Sequence, residues 1–515
     1  MKLSIQERRK SAVEFAKKSV RSSVNSLAYK QKQQEERERL ENIPDHEREF
    51  AEQERNTKLE ELRDKIADFL TEQYSYELKV SMFDQKMREN MAPIILNYIQ
   101  REKVVISGFK DSQDLAEYMV NEICGLGPID EIIKREGFLN EIWVNGVNPD
   151  TGEVEIYYEK GGIKYKEKVA KFRDKKHAYD IAKKIARNGQ QHFGTEMPLA
   201  NVRYPDGRVN LVHYPIATGG GGPYISFRMF PKDTFKPSDF LKSGSMTEEM
   251  KILIELAFKY GLNGLVCGAT GSGKTTLLTA CIDFIDDNSR ILLMEDTEEM
   301  RIRHKYPHKH IITEECKYNT TDENRNFDFA KLTINALRQK PDYMIYGEVR
   351  DKAAYDMLNG GNTGHKVWST LHARSAKKAV QRLINMVLEH GSKMSTDAIG
   401  KWVTESIDLI IFQKLYPDNV RRVKEIIQLR DFRSGKLVYR TLFKFIVTGK
   451  NEDGQIIGRH YRTGRLTRDL AEHLIEEGAD PEKVKIFLQT PEELPHLSVF
   501  DDLDELEDSE DDEEQ

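Results

Sequence analysis

The chain has 515 residues, too many for one compact core, and ~100–200 residues per domain gives two to four units. It is 32% charged and 38% hydrophobic, and no run of roughly 18 apolar residues occurs, which excludes a membrane-spanning helix. The net charge of −7 is concentrated at one end: residues 501–515 hold eleven Asp or Glu and no base, leaving +4 on the first 500 residues. The four cysteines (Cys124, Cys267, Cys281, Cys316) form no CxxC pair, against a disulfide framework or a tetracysteine zinc site. The N-terminal segment MKLSIQERRKSAVEF has no apolar signal-peptide core, so a cytoplasmic location is expected.

Residues 1–34 hold nine Lys or Arg against two Glu, with Val13, Val20, Val24 and Leu27 at helical spacing. This predicts a basic amphipathic helix, able to lie on an anionic membrane or against neighbouring protein. Residues 30–58 are almost all polar and contain Pro44, so they read as an extended or loosely helical connector, and residues 1–58 as a charged helical arm and connector. Tighter apolar spacing from Leu59 predicts a small helical domain over 59–134. NEIWVNGV, VEIYYEKGG and IKYKEKVAKF then read as strands, KHAYDIAKKIARNG as a helix, and RVNLVHYPI and PYISFRMF as further strands. Together they make an α+β domain over 135–232. Gly219 to Gly222 lack a following Lys-Thr and helix, so a hairpin connection suits them better than a phosphate loop. A proline-marked linker (233–245) leads to the next domain (246–424). An extension of strands and helices (425–490) and an acidic tail (491–515) complete the chain.

The decisive stretch is LNGLVCGATGSGKTTLLTACIDFI. An apolar strand runs into Gly268, Ala269, Thr270, Gly271, Ser272, Gly273, Lys274, Thr275 and Thr276, and then into an apolar helix. This is the Walker A pattern in its strand–loop–helix context. Glycines let successive backbone N–H groups converge on phosphate oxygens, and the helix N-terminus adds to that field. Lys274 is expected to bridge the outer phosphates of ATP, and the Thr275 hydroxyl to join the Mg²⁺ shell. Two further apolar strands end in acid: ILLMEDTEE at Glu295 and YMIYGEVR at Glu348. Ligands of doubly wound sheets collect at such strand ends. Glu348 is therefore assigned to the metal side through water and Glu295 to activation of the attacking water. His365 and His372 flank the strand KVWSTLH, and one of them is expected to respond to hydrolysis. His304, His308 and His310 read as an exposed patch.

Taken in order, GLGPIDEII (125–133), NEIWVNG (140–146), MPLANVRYPDGRVN, YISFRMF, the P-loop, MEDTEE, GEVRD (347–351) and TGH…STLHA are similar to the type II/type IV secretion ATPase superfamily. The nearer branch resembles the motors of Tad/Flp pilus assembly and conjugative type IV secretion. The resemblance implies a RecA-like P-loop NTPase domain preceded by a smaller α+β (PAS-like) domain and an N-terminal helical region, an α/β class overall. It also implies a homo-hexameric ring that hydrolyses ATP with Mg²⁺ on the cytoplasmic face of the membrane. Its partners would be inner-membrane platform or coupling proteins, with peripheral membrane contact and no stable nucleic acid. Arginines of the N-terminal domain complete the site in that family; Arg208 and Arg228 match them here, with Arg203 a third candidate. The histidine box departs from the family at Lys366-Val367-Trp368, where small residues are expected. The alternatives are a RecA-like nucleic-acid translocase, disfavoured by the near-neutral body, and a nucleotide-switched scaffold, disfavoured by two intact carboxylate boxes.

Overall fold

The computed structural model describes residues 45–492 apart from 83, 206, 220, 231–234, 319–325 and 351–352. The basic helix expected around Val13–Leu27 and the acidic stretch 501–515 lie outside the described residues. The chain forms two compact units, 1–232 and 233–515.

The first described helix of unit 1 spans Asp45–Gln73. The part of the loosely helical connector that the structure describes, from Asp45 on, is regular helix continuous with the helical domain. The Glu, Arg, Gln and Lys of its polar half are good helix formers, so the helix runs unbroken into its apolar half. Leu59, Leu62, Ile66 and Leu70 of that half are buried with Met91, Ile95 and Ile99 of the helix Gln85–Arg101 and Met119 of the helix Ser112–Cys124. A six-stranded antiparallel sheet follows: β1 (Glu141–Val147), β2 (Val154–Lys160), β3 (Ile163–Lys166), β4 (Leu199–Tyr204), β5 (Gly207–Val212) and β6 (Tyr224–Met229). Its order is β3-β2-β1-β6-β5-β4. Alternation places Ile142, Val144, Ile156, Val202, Val209 and Phe227 in one core with Ala178, Ile181 and Ile185 of the helix Lys175–Asn188. Asp174 caps that helix by accepting from the His177 N–H at 2.7 Å. The four-glycine run lies in the connection between β5 and β6, which pair antiparallel.

Unit 2 carries one nine-stranded sheet of order β15-β14-β13-β12-β7-β11-β10-β8-β9. The strands are β7 (Gly264–Gly268), β8 (Ile291–Glu295), β9 (Ile311–Glu315), β10 (Tyr343–Tyr346), β11 (Lys366–His372), β12 (Leu409–Leu415), β13 (Arg421–Arg433), β14 (Lys436–Lys450) and β15 (Ile456–Arg462). β12, β7, β11, β10, β8 and β9 run parallel, the RecA-like portion; β13 to β15 continue it antiparallel. Neighbouring residues of β7 enter opposite cores, Val266 one and Leu265 and Cys267 the other. A sheet covered on both faces explains why these strands read as continuous apolar runs. The expected boundary at 424 falls inside β13. The later strands are not an appendage, because Val423, Ile426, Leu442 and Phe443 share a core with Val266 and Leu277. Trp368 is accommodated by a size exchange. It is fully buried and stacks on Phe258 with ring centroids 3.8 Å apart. Its register partner is Gly264, where a Cβ would meet the indole at 2.4 Å.

Candidate nucleotide site

β7 delivers the chain to a loop whose Gly271 and Gly273 adopt φ of +73° and +89°, a left-handed backbone that glycine takes without strain. The helix Lys274–Cys281 begins at the next residue. Lys274 is buried at its N-terminus; its Nζ donates to the Ala269 carbonyl at 3.1 Å and to His372 Nδ1 at 3.2 Å. The Ser272 hydroxyl is buried without a partner among the described residues, as are both amide atoms of Gln413 on β12, alongside this loop. Orphaned buried polar groups around a glycine loop with a buried ammonium fit a phosphate chain.

His372 ends β11, the strand paired with β7. Its Nε2 lies 3.2 Å from Glu348 Oε1. Glu348 in turn accepts from Arg350 Nε at 2.8 Å and Nη2 at 2.7 Å. Lys274, His372, Glu348 and Arg350 therefore form one continuous line of contacts. Burial would push the Glu348 carboxyl up, but the Arg350 hydrogen bonds and charge, then His372 and Lys274, hold it below its ordinary value. It is an anion at neutral pH. Burial and then the Lys274 charge push the His372 imidazole down, against the pull of Glu348. A neutral ring accepting from Lys274 at Nδ1 and donating to Glu348 at Nε2 satisfies both neighbours.

Glu295, at the end of the adjacent strand β8, has the opposite character. It is 4% exposed, and Oε1 accepts from the Glu299 and Met300 N–H groups at 3.1 and 3.0 Å. Oε2 is buried without a partner among the described residues. Burial outweighs those two hydrogen bonds, with Glu299 and Glu298 adding repulsion, and the carboxyl is pushed up to about 8. Gly347 leaves the space it fills: a Cβ there would meet Glu295 Cγ at 2.7 Å.

Of the two residues that the sequence assigns to Mg²⁺, Thr275 lies in the first turn of the helix that Lys274 begins, and Glu348 joins the line of contacts from Lys274. Among the described residues no group of three His, Cys, Asp or Glu could hold a metal ion. His365 immediately precedes β11, at the end opposite His372, with Nδ1 2.9 Å from Thr363 Oγ1. His310 meets Arg290 at 2.7 Å and His308 lies 3.7 Å from Asp287. The structure does not draw these three into the line that His372 joins. Arg203, Arg208 and Arg228 belong to unit 1, on β4, β5 and β6 in direct register with one another. Two neighbours of the loop escaped sequence reasoning. Arg421, 150 residues on, donates Nε to the Gly271 carbonyl at 3.0 Å, and Gln413 closes on the loop from β12. No local motif announces either; the pairing of β12 with β7, and of β13 with β12, brings them there.

The model of the family described as type II/IV secretion system protein matches residues 147–452, more than half of the chain. The chain belongs to that family. Among its relatives, the conjugal transfer protein TrbB of Rhizobium radiobacter is 30% identical over 256 residues, covering 48% of this chain and 73% of that protein. The uncharacterized protein MJ0900 of Methanocaldococcus jannaschii is 33% identical over 208 residues, 40% of this chain and 36% of that one, so the match spans about a third of that relative. The crystal structure of the Legionella pneumophila ATPase DotB covers 74% of this chain and 90% of its own at 20% identity and TM-score 0.44, a superposition too loose to bear on the site. For this secretion-family chain, no described helix is long and apolar enough to cross a membrane.

Proposed function

We propose that this secretion-family chain is a motor ATPase that hydrolyses ATP to drive a conjugative type IV secretion or Tad-like pilus machine, working as a homo-hexamer at the cytoplasmic face of the membrane. The observation that carries the reading is the line from the P-loop ammonium of Lys274 through His372 to Glu348. It links the phosphate-holding loop to an ionised carboxylate on a neighbouring strand. The family, and the likeness to TrbB, a protein named for conjugal transfer, support the choice of machine.

The loop N–H groups and Lys274 would hold the outer phosphates. Mg²⁺, when bound, would neutralise charge developing on those oxygens, held by Thr275 and, through water, by Glu348. Glu295 would take the proton of the attacking water: its raised affinity for a proton makes it the stronger base of the pair once ionised. His372 contacts both Lys274 and Glu348, so a move of either when phosphate leaves is felt by the other. Arg208 and Arg228, with Arg203, would supply the guanidinium forks that complete the site.

Inorganic phosphate release by purified protein with Mg²⁺ tests the reading. Lys274→Ala should cut turnover by at least ~10²-fold, the scale for loss of one preorganised charge donor, while the thermal transition survives. Retained turnover in that variant would take the P-loop out of the mechanism.

A further inference from the structure

The acidic stretch 501–515 and the strands after β12 take no part in the chemistry above, yet unit 2 holds a feature that bears on both. Arg440, Thr441 and Lys444 of β14, with Thr463, Arg465 and Pro491, line a cavity of about 700 Å³. Three of its lining residues are cations and none is a carboxylate. Among the described residues no salt bridge engages any of the three; Arg465 donates one hydrogen bond, Nη2 to Thr490 Oγ1 at 3.2 Å. Glu425, opposite Lys444 in register, accepts instead from the Ala376 N–H. Three like charges around one concavity repel one another and favour an anion between them.

The path of the chain suggests which anion. Arg462 donates Nη1 to the Gln489 carbonyl at 2.9 Å and Nη2 to that of Thr490 at 3.2 Å. The Glu492 N–H donates to the Arg462 carbonyl at 2.8 Å, and its carboxylate pairs with Arg459 Nη2 at 2.7 Å. Residues 489–492 are thus fixed along β15, an edge strand, beside the cavity that Pro491 lines. The eleven carboxylates of 501–515 begin nine residues beyond Glu492, within an extended reach of roughly 30 Å.

We propose that the acidic stretch 501–515 occupies this basic cavity of its own chain, its carboxylates held by Arg440, Lys444 and Arg465. So short a tether presents them at an effective concentration of roughly millimolar, enough for individually weak exposed ion pairs to act together. The stretch would then keep other polyanions off this face of unit 2.

Zero-length carbodiimide coupling of the full chain, which joins an amine only to a carboxylate in contact with it, tests this. The Lys251–Glu248 pair, 2.6 Å apart, serves as the internal standard. Lys444 should couple to a carboxylate between Asp501 and Glu514 in material that runs as monomer on a denaturing gel. The yield, relative to the standard, should fall at least about fivefold in 1 M salt, where the Debye length is ~3 Å. Arg440→Ala with Arg465→Ala should lower it comparably at low salt. The proposal is overturned if Lys251 couples and Lys444 does not, if the Lys444 product is found only in cross-linked dimers, or if the yield ignores both salt and the arginine variants.

Discussion

Glu295 and Glu348 end parallel neighbouring strands, yet their surroundings drive them in opposite directions. Arg350, His372 and Lys274 keep Glu348 ionised, whereas Glu295 has only two backbone donors against nearly complete burial. A carboxyl raised from 4.5 to about 8 favours the folded protein fully below its unfolded value, and that contribution disappears as pH rises through the folded value. Between pH 4.5 and 8 the folded chain must either keep a proton that the unfolded chain releases or bury a charge. Glu295→Gln keeps an oxygen for the Glu299 and Met300 N–H groups and cannot ionise. It should match wild type near pH 4.5 and be the more stable protein at pH 9, by on the order of 3–5 kcal/mol at ~1.4 kcal/mol per unit. Thermal melts of both proteins at the two pH values check this; a stability difference that is the same at both would mean that the folded carboxyl is not raised above its unfolded value. The same variant should lose turnover, since an amide cannot accept the proton of water.

Strand ends were where the sequence was most legible, and the reason is local chemistry. The P-loop, the acidic ends of β8 and β10 and the histidine of β11 each sit within a few residues of an apolar run that marks a strand buried on both faces. Arg421 and Gln413 were invisible because their partner is the P-loop, more than a hundred residues earlier, and a contact made by strand order leaves no mark on nearby sequence. For the same reason β13 to β15 read as an extension when they complete the sheet: alternation shows a strand, not its neighbour. Gly347 lies in the GEVR motif under a constraint that spacing alone does not show. It follows β10 and faces the Glu295 side chain of β8 so closely that one added methyl must displace the carboxyl. Gly347→Ala should therefore cost ~1–3 kcal/mol by overpacking. It should also lower turnover further than Tm alone explains, because the group displaced is the proposed base. Tm together with phosphate release, measured well below the transition, separates the two effects.

Across the sheet of unit 1, Lys164, Glu159, Glu141, Arg228, Arg208 and Arg203 are successive register partners, one residue from each of its six strands in a single transverse row. Residues directly opposite in antiparallel strands share a face, so three arginines stand side by side on the face away from the core. Like charges so placed are destabilising by up to ~1 kcal/mol per pair. Arg208, in the middle, takes part in two such pairs; Arg228 is partly offset by Glu141, 3.8 Å away. A purely structural role would predict that removing Arg208 leaves or lowers stability in step with activity. The proposed role predicts a split: Arg208→Ala should keep or slightly raise Tm, by relieving repulsion, while turnover falls ~10³-fold or more, the scale for a lost arginine at a phosphoryl-transfer site. Arg228→Ala should behave alike in turnover with a small loss of Tm. Glu141→Gln separates the two accounts for Arg228, because it removes the ion pair and keeps the guanidinium. If Arg228 served only the sheet, Glu141→Gln would reproduce the Arg228→Ala phenotype; if it serves phosphate, Glu141→Gln should retain wild-type turnover with the Tm of the arginine variant.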